Sequence, residues 1–173
     1  MKLYFNKIYK RKDIKFLLTQ PTHIKHLLNY STNKHFYKYL EYKVFDKKTA
    51  KNYFEKRIRD KKMYYFSIYL KNKIIGTIAL RKLNYKKKSC QISYGLSPNY
   101  WGKGLFTEVV KLVIKLLKIN KFKSVKVYTR YDNFGSIAGL IKNNFKILKI
   151  LKNFYFDKKT RKNHDAISLE LKL

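Results

Sequence analysis

The chain has 173 residues, a formal net charge of +32 and one cysteine, Cys90. That length suits a single domain spanning 1–173, and the 45% hydrophobic and 17% aromatic content, with only six glycines and two prolines, excludes a linker or low-complexity array. A lone cysteine excludes an intramolecular disulfide and a multi-cysteine metal centre, so no metal is expected and Cys90 reads as a small buried hydrophobe.

The first sixteen residues alternate basic and apolar side chains, with no apolar stretch of about 7 to 15 residues to serve as a signal peptide. Nowhere do about 18 apolar residues run together, so a cytoplasmic protein without a membrane partner is expected. Lysine is scattered over every segment, whereas arginine occurs only at 11, 57, 59, 81, 130 and 161. A nucleic-acid reader favours arginine and a clustered basic footprint, so the charge reads as the residue set that AT-rich codons favour ahead of a nucleic-acid function, while still favouring a phosphate-bearing ligand.

In chain order, residues 2–9 alternate as a strand with Leu3, Phe5, Ile8 and Tyr9 inward. Pro21 separates 13–20 from 22–30, two pieces that read as short helices, the second capped by Thr22. Residues 46–60 read as a surface helix capped by Asp46, with Ala50, Tyr53, Phe54 and Ile58 at helical spacing. Strands follow at 63–70, 73–83 and 90–97, the first two joined by the hairpin Lys71-Asn72.

The run 105–119 is apolar except for Glu108, Lys111, Lys115 and Lys118, which form one wet stripe on a helix lying against a sheet. A strand at 124–130, a short helix at 133–144 and alternating strands at 145–156 and 164–173 complete the order β, α, α, β, β, β, α, β, α, β, β.

Two of the six glycines, Gly102 and Gly104, stand immediately before the 105–119 helix. Glycine there lets the backbone bend sharply, and the first amides of the helix face outward with the positive end of the dipole behind them. Lys103 adds a cation, so the turn reads as a phosphate site; a turn with no ligand is the plainer reading. Neither a Walker loop nor a dinucleotide fingerprint fits, because Gly104 follows Lys103 and Thr107 stands where a third small residue belongs.

The stretches "SYGLSPNYWGKGLFTEVVKLVIKLL" and "VYTRYDNFGSIAGLIKNNFKI" resemble the acetyl-CoA-binding half of the GNAT acetyltransferase superfamily, especially its ribosomal-protein N-terminal (RimJ/RimL-type) branch. The resemblance implies an α/β fold with a mixed, mostly antiparallel sheet of about seven strands flanked by about four helices. It implies acetyl-CoA as cosubstrate, bound by Leu96, Ser97, Trp101, Gly102, Lys103, Gly104, Leu105, Phe106, Asn133 and Ser136. Trp101 and Phe106 depart from the family pattern, and Asn144 takes the glycine position before Phe145. Asn tolerates the left-handed angles such a position needs.

Acetyl transfer to an amine needs a neutral nitrogen, an oxyanion donor and a proton for the departing thiolate. The resemblance places Gln91 where relatives carry a glutamate base, and Leu140 where they carry a tyrosine acid. Ser136 is then the candidate acid and Asp165 the candidate base or orienting group, with His164, Glu41 and Glu55 as further bases. Asn133 followed by Ser136 also reads as a plain helix cap. The expected acceptor is a small primary amine such as a nucleotide-linked aminosugar; a protein N-terminus is the alternative. A basic nucleic-acid binder without enzymatic activity and a fold that holds the coenzyme without turnover are the other classes, with monomer and homodimer both open.

Overall fold

The computed structural model describes residues 9–11, 13–39, 46–157 and 161–173. The expected strand at 2–9 lies outside the described residues except for Tyr9, which opens β1 (Tyr9–Arg11).

The first departure from the expected order is β2 (Ile14–Leu18), which the sequence pattern assigned to a helix. Ile14 and Phe16 are buried at spacing two, and the strand pairs antiparallel with β3 (Tyr64–Leu70). Five residues cannot sustain a helix alone, so the available sheet edge decides. Thr22 does not cap: it sits inside a 3-10 turn, Pro21–His23, that runs straight into α1 (Ile24–Ser31). Asp46 does cap α2 (Lys47–Arg59), accepting from the Thr49 amide at 2.7 Å and the Thr49 hydroxyl at 2.7 Å.

The two-residue hairpin appears as expected, with Lys71 at φ 53° between β3 and β4 (Lys73–Asn84). β5 (Ser89–Leu96), α3 (Leu105–Ile119), β6 (Ser124–Arg130), α4 (Phe134–Ile141), β7 (Lys146–Asp157) and β8 (Lys162–Lys172) follow. The sheet is mixed and mostly antiparallel, in the order β1-β2-β3-β4-β5-β6-β8-β7, eight strands against the expected seven or so, with β2, in the stretch read as a helix, as the addition. Four α-helices flank it among the described residues.

Alternation along the strands builds two cores. Phe66, Ile68, Ile78, Leu80, Ile92 and Val127 face α3, whose Val109, Val110, Leu112, Val113, Leu116 and Leu117 are buried. Each such side chain stabilises the fold by about 1.5–3 kcal/mol relative to exposure. Tyr65 and Ala79, one residue out of phase, meet Leu27, Tyr30, Phe36, Ala50 and Phe54 under α1 and α2 on the other face. Cys90 lies in the first core, and burial pushes its thiol up to about 12, which removes it as a nucleophile.

One register feature positions the site. The parallel pair β5–β6 runs only from Ser89↔Ser124 to Ile92↔Val127. Beyond it, Ser93 to Leu96 pair with β4 alone, and Tyr128 to Arg130 with β8 alone. The sheet therefore opens between β5 and β6 at the end where α3 and α4 begin.

Candidate active site

The opening is the mouth of a cleft of about 470 Å³. Its floor is the turn before α3, where Gly102 sits at φ 71° and Gly104, the N-cap, at φ 69°. These left-handed angles are costly for any residue with a Cβ, by about 1–2 kcal/mol each, which is why the chain spends two glycines here. No side chain caps α3. Among the described residues, the amides of Gly102 to Thr107 donate to nothing; the first helical bond is from the Glu108 amide to the Gly104 carbonyl at 3.4 Å. Six consecutive donors at the positive end of a fifteen-residue helix suit a diphosphate. The Trp101 amide is not one of them, being bonded to the Pro98 carbonyl at 3.0 Å.

Leu96, Trp101, Gly102, Gly104, Leu105, Phe106, Asn133 and Ser136 all line the cleft. Ser97, Lys103 and Asp165 are not among its lining residues. Ser97 is buried and its amide continues the β4 pairing through the Ile75 carbonyl at 2.8 Å. Lys103 turns outward, its ammonium donating to the Asn99 carbonyl at 3.0 Å. Asp165 accepts from the Lys152 ammonium at 2.7 Å and the Asn153 amide at 3.0 Å, beside the register shift in β7, and these two contacts hold its carboxyl below the usual range. The structure does not bring it to Ser136.

The Phe106 ring leaves the turn open. It packs on Tyr94, centroids 4.5 Å apart, and over Gly139, where an added Cβ would lie 2.4 Å from the ring. Trp101 folds its indole back to donate to the Leu96 carbonyl at 2.8 Å. Asn144 holds φ 64° at the end of α4, as the preference of Asn for left-handed angles suggested.

Asn133 caps α4, accepting from the Ser136 amide at 3.3 Å. Ser136, only 5% exposed, shares a hydrogen bond between its hydroxyl and that of Tyr94. Burial drives the Tyr94 phenol far above its ordinary range, so it stays protonated and remains a donor. Tyr94 was not singled out from the sequence as a site residue; its place two residues before Leu96 on the same strand face was the available signal. Leu140 is wholly buried, and Gln91 is buried outside the cleft lining. Glu41 lies outside the described residues, Glu55 pairs with Lys51 and Arg59 on α2, and His164 faces Asp157 at 3.8 Å.

The other half of the cleft was not predicted. It is lined by Tyr39, Tyr53, Tyr65 and Tyr128, with Arg57 from α2 and Arg81 from β4. Tyr39 also approaches the Trp101 ring, centroids 6.4 Å apart, so the segment between α1 and α2 meets the α3 turn across the mouth.

A splayed sheet whose opening faces a bare helix N-terminus is a cleft suited to an elongated ligand with an anionic group at the helix end. The chain belongs to the GNAT acetyltransferase family, whose domain model, Acetyltransferase (GNAT) domain, matches residues 15–146. It is an acyltransferase of the N-acetyltransferase type, and the family takes its acetyl group from acetyl-CoA. Solved structures share the fold at low identity. RimL, the ribosomal L7/L12 alpha-N-protein acetyltransferase in complex with coenzyme A, aligns with TM-score 0.84 and 15% identity over 96% of this chain and 98% of that one. The ribosomal-protein-S5-alanine acetyltransferase from Vibrio fischeri gives 0.80 and 17% over 96% of each chain. The spermidine N-acetyltransferase from Vibrio cholerae, with CoA and spermine, gives 0.80 and 14% over 94% and 96%. None of the curated proteins matches the chain in sequence. No helix among the described residues is long and apolar enough to cross a membrane.

Proposed function

We propose that the protein transfers the acetyl group of acetyl-CoA directly to a small primary amine in the cytoplasm, a nucleotide-linked aminosugar being one acceptor of that kind. The observation that carries this reading is the row of unbonded amides from Gly102 to Thr107 on the floor of the cleft. These amides hold the diphosphate, and the free edge of β5 from Ser93 to Leu96 receives the pantetheine arm. The bound thioester supplies an activated acetyl carbon and a thiolate leaving group.

Ser136 delivers the proton that the thiolate needs. In this reading Tyr94 donates to the Ser136 oxygen, which leaves the serine O–H to point into the cleft, and burial keeps the phenol protonated. Asn133 orients Ser136 through the cap, and Asp165 braces β7 against β8. No carboxylate or histidine among the described residues lines the cleft, so the amine arrives as its free base. For an amine of pKa about 10.4 that form is roughly one part in 2,500 at pH 7.

Incubation with acetyl-CoA and pools of primary amines, read as coenzyme A thiol release, tests the reading. Release with at least one pool is expected; coenzyme binding without release from any pool would leave a fold that holds the coenzyme without turnover.

A further inference from the structure

The acceptor half of the cleft has a charge pattern of its own. Arg57 is half-buried on α2 and lines the cleft. Its contacts are weak acceptors: the Met63 thioether, 3.8 Å from one terminal nitrogen, and the Tyr53 ring, 4.9 Å from the guanidinium carbon. A guanidinium carries five N–H donors, and among the described residues no carboxylate pairs with this one. By contrast Arg130, at the same mouth, is neutralised by Asp132 through bonds of 2.9 and 2.7 Å. Arg59, the last residue of α2, pairs with Glu55 at 4.0 Å. Among the described residues, Arg130 and Arg59 thus have carboxylate partners and Arg57, which lines the cleft, has none.

Arg81 lines the same half, and no aspartate or glutamate does among the described residues. The aromatic rings there do not make a cation cage. Tyr53 already carries the Arg57 guanidinium, and Tyr39 carries that of Arg130 at 5.6 Å. A polycationic acceptor entering this space would meet like charge on the rings that could otherwise have bound it. An anion would meet a planar fork whose one recorded hydrogen bond is to a weak sulfur acceptor, in a partly desolvated wall, the setting in which charge-assisted hydrogen bonds are strongest.

We propose that the acceptor amine carries an anionic group, a carboxylate or a phosphate, and that Arg57 binds it while the amine reaches past Tyr65 and Tyr128 toward the opening between β5 and β6. This rests on the acetyltransferase reading above. The selectivity excludes polyamines by like-charge repulsion and leaves neutral amines as poor substrates.

The test compares kcat/KM, with acetyl-CoA saturating, for O-phosphoethanolamine, 4-aminobutyrate and UDP-linked aminosugars, for peptides opening Ser-Glu or Ser-Lys, and for ethanolamine, 4-aminobutanol and spermidine. The expected result is at least a tenfold preference for an anionic amine over its neutral or cationic counterpart; the phosphate and carboxylate arms identify the group. Arg57→Gln should lower that kcat/KM about tenfold to a hundredfold, mainly through KM, with coenzyme A affinity by calorimetry unchanged. Arg57→Lys keeps the charge and the stem, and should recover only part of the loss because the fork is gone. Turnover that favours spermidine or the neutral amines, or an Arg57→Gln enzyme with an unaltered preference, would overturn the proposal while leaving the acetyltransferase reading intact. Failure to bind coenzyme A, or no turnover with any amine, would sink both.

Discussion

In the proposed mechanism, two hydroxyls and a backbone do the work of charged side chains. If Ser136 protonates the thiolate and Tyr94 fixes its rotamer, Ser136→Ala should lower kcat by about a hundredfold or more, the usual worth of a positioned acid, and Tyr94→Phe by less. Both should leave coenzyme affinity near that of the parent. Because no carboxylate or histidine among the described residues lines the cleft, kcat/KM should rise about tenfold per pH unit from 6 to 8, with no inflection near 6.5, following the free amine. With an acceptor amine of pKa above about 9, a plateau in that range would reveal a titrating base and contradict the assignment. That Gly102, Gly104, Asn133 and Ser136 come together along one cleft was legible because they sit at fixed offsets within one continuous stretch. The acceptor side was not, since Arg57, Arg81 and Tyr128 come from separate elements and only the fold brings them together.

At the scale of elements, legibility followed length and periodicity. α3 matched its expected bounds of 105–119 because six buried positions and a wet stripe repeat over fifteen residues. β2 did not, because five residues give no period strong enough to outweigh a neighbouring strand edge. The same corner holds a pH-sensitive tie. His23, in the turn before α1, has its Nδ1 3.0 Å from the Ser67 hydroxyl and its Nε2 3.2 Å from the Tyr69 hydroxyl, linking the turn to β3. Burial, and then the nearby His26, lowers its pKa below 6.5. On acidification the unfolded chain therefore takes up this proton first. The contribution of His23 is complete above about pH 6.5 and is lost as pH falls through its lower folded value. Thermal melts from pH 7.5 to 5.0 should show a falling Tm, with a shallower slope in His23→Gln; identical slopes would remove His23 from the account.

For the whole molecule, the charge of +32 has no single address. Lysines cover both faces of the fold, while the arginines that matter lie at the cleft and its mouth, so the functional electrostatics are local. The fold shows in the order of elements and the opening between β5 and β6, the family in the domain match over residues 15–146, and the central claim is that the bare amides before α3 hold a coenzyme diphosphate. Calorimetric titration with coenzyme A and with pantetheine, which lacks the nucleotide and its diphosphate, addresses it directly. The account predicts that coenzyme A binds at least tenfold more tightly than pantetheine and that Gly104→Val erases most of the difference. Equal affinity for the two ligands, or no binding of coenzyme A, would contradict it.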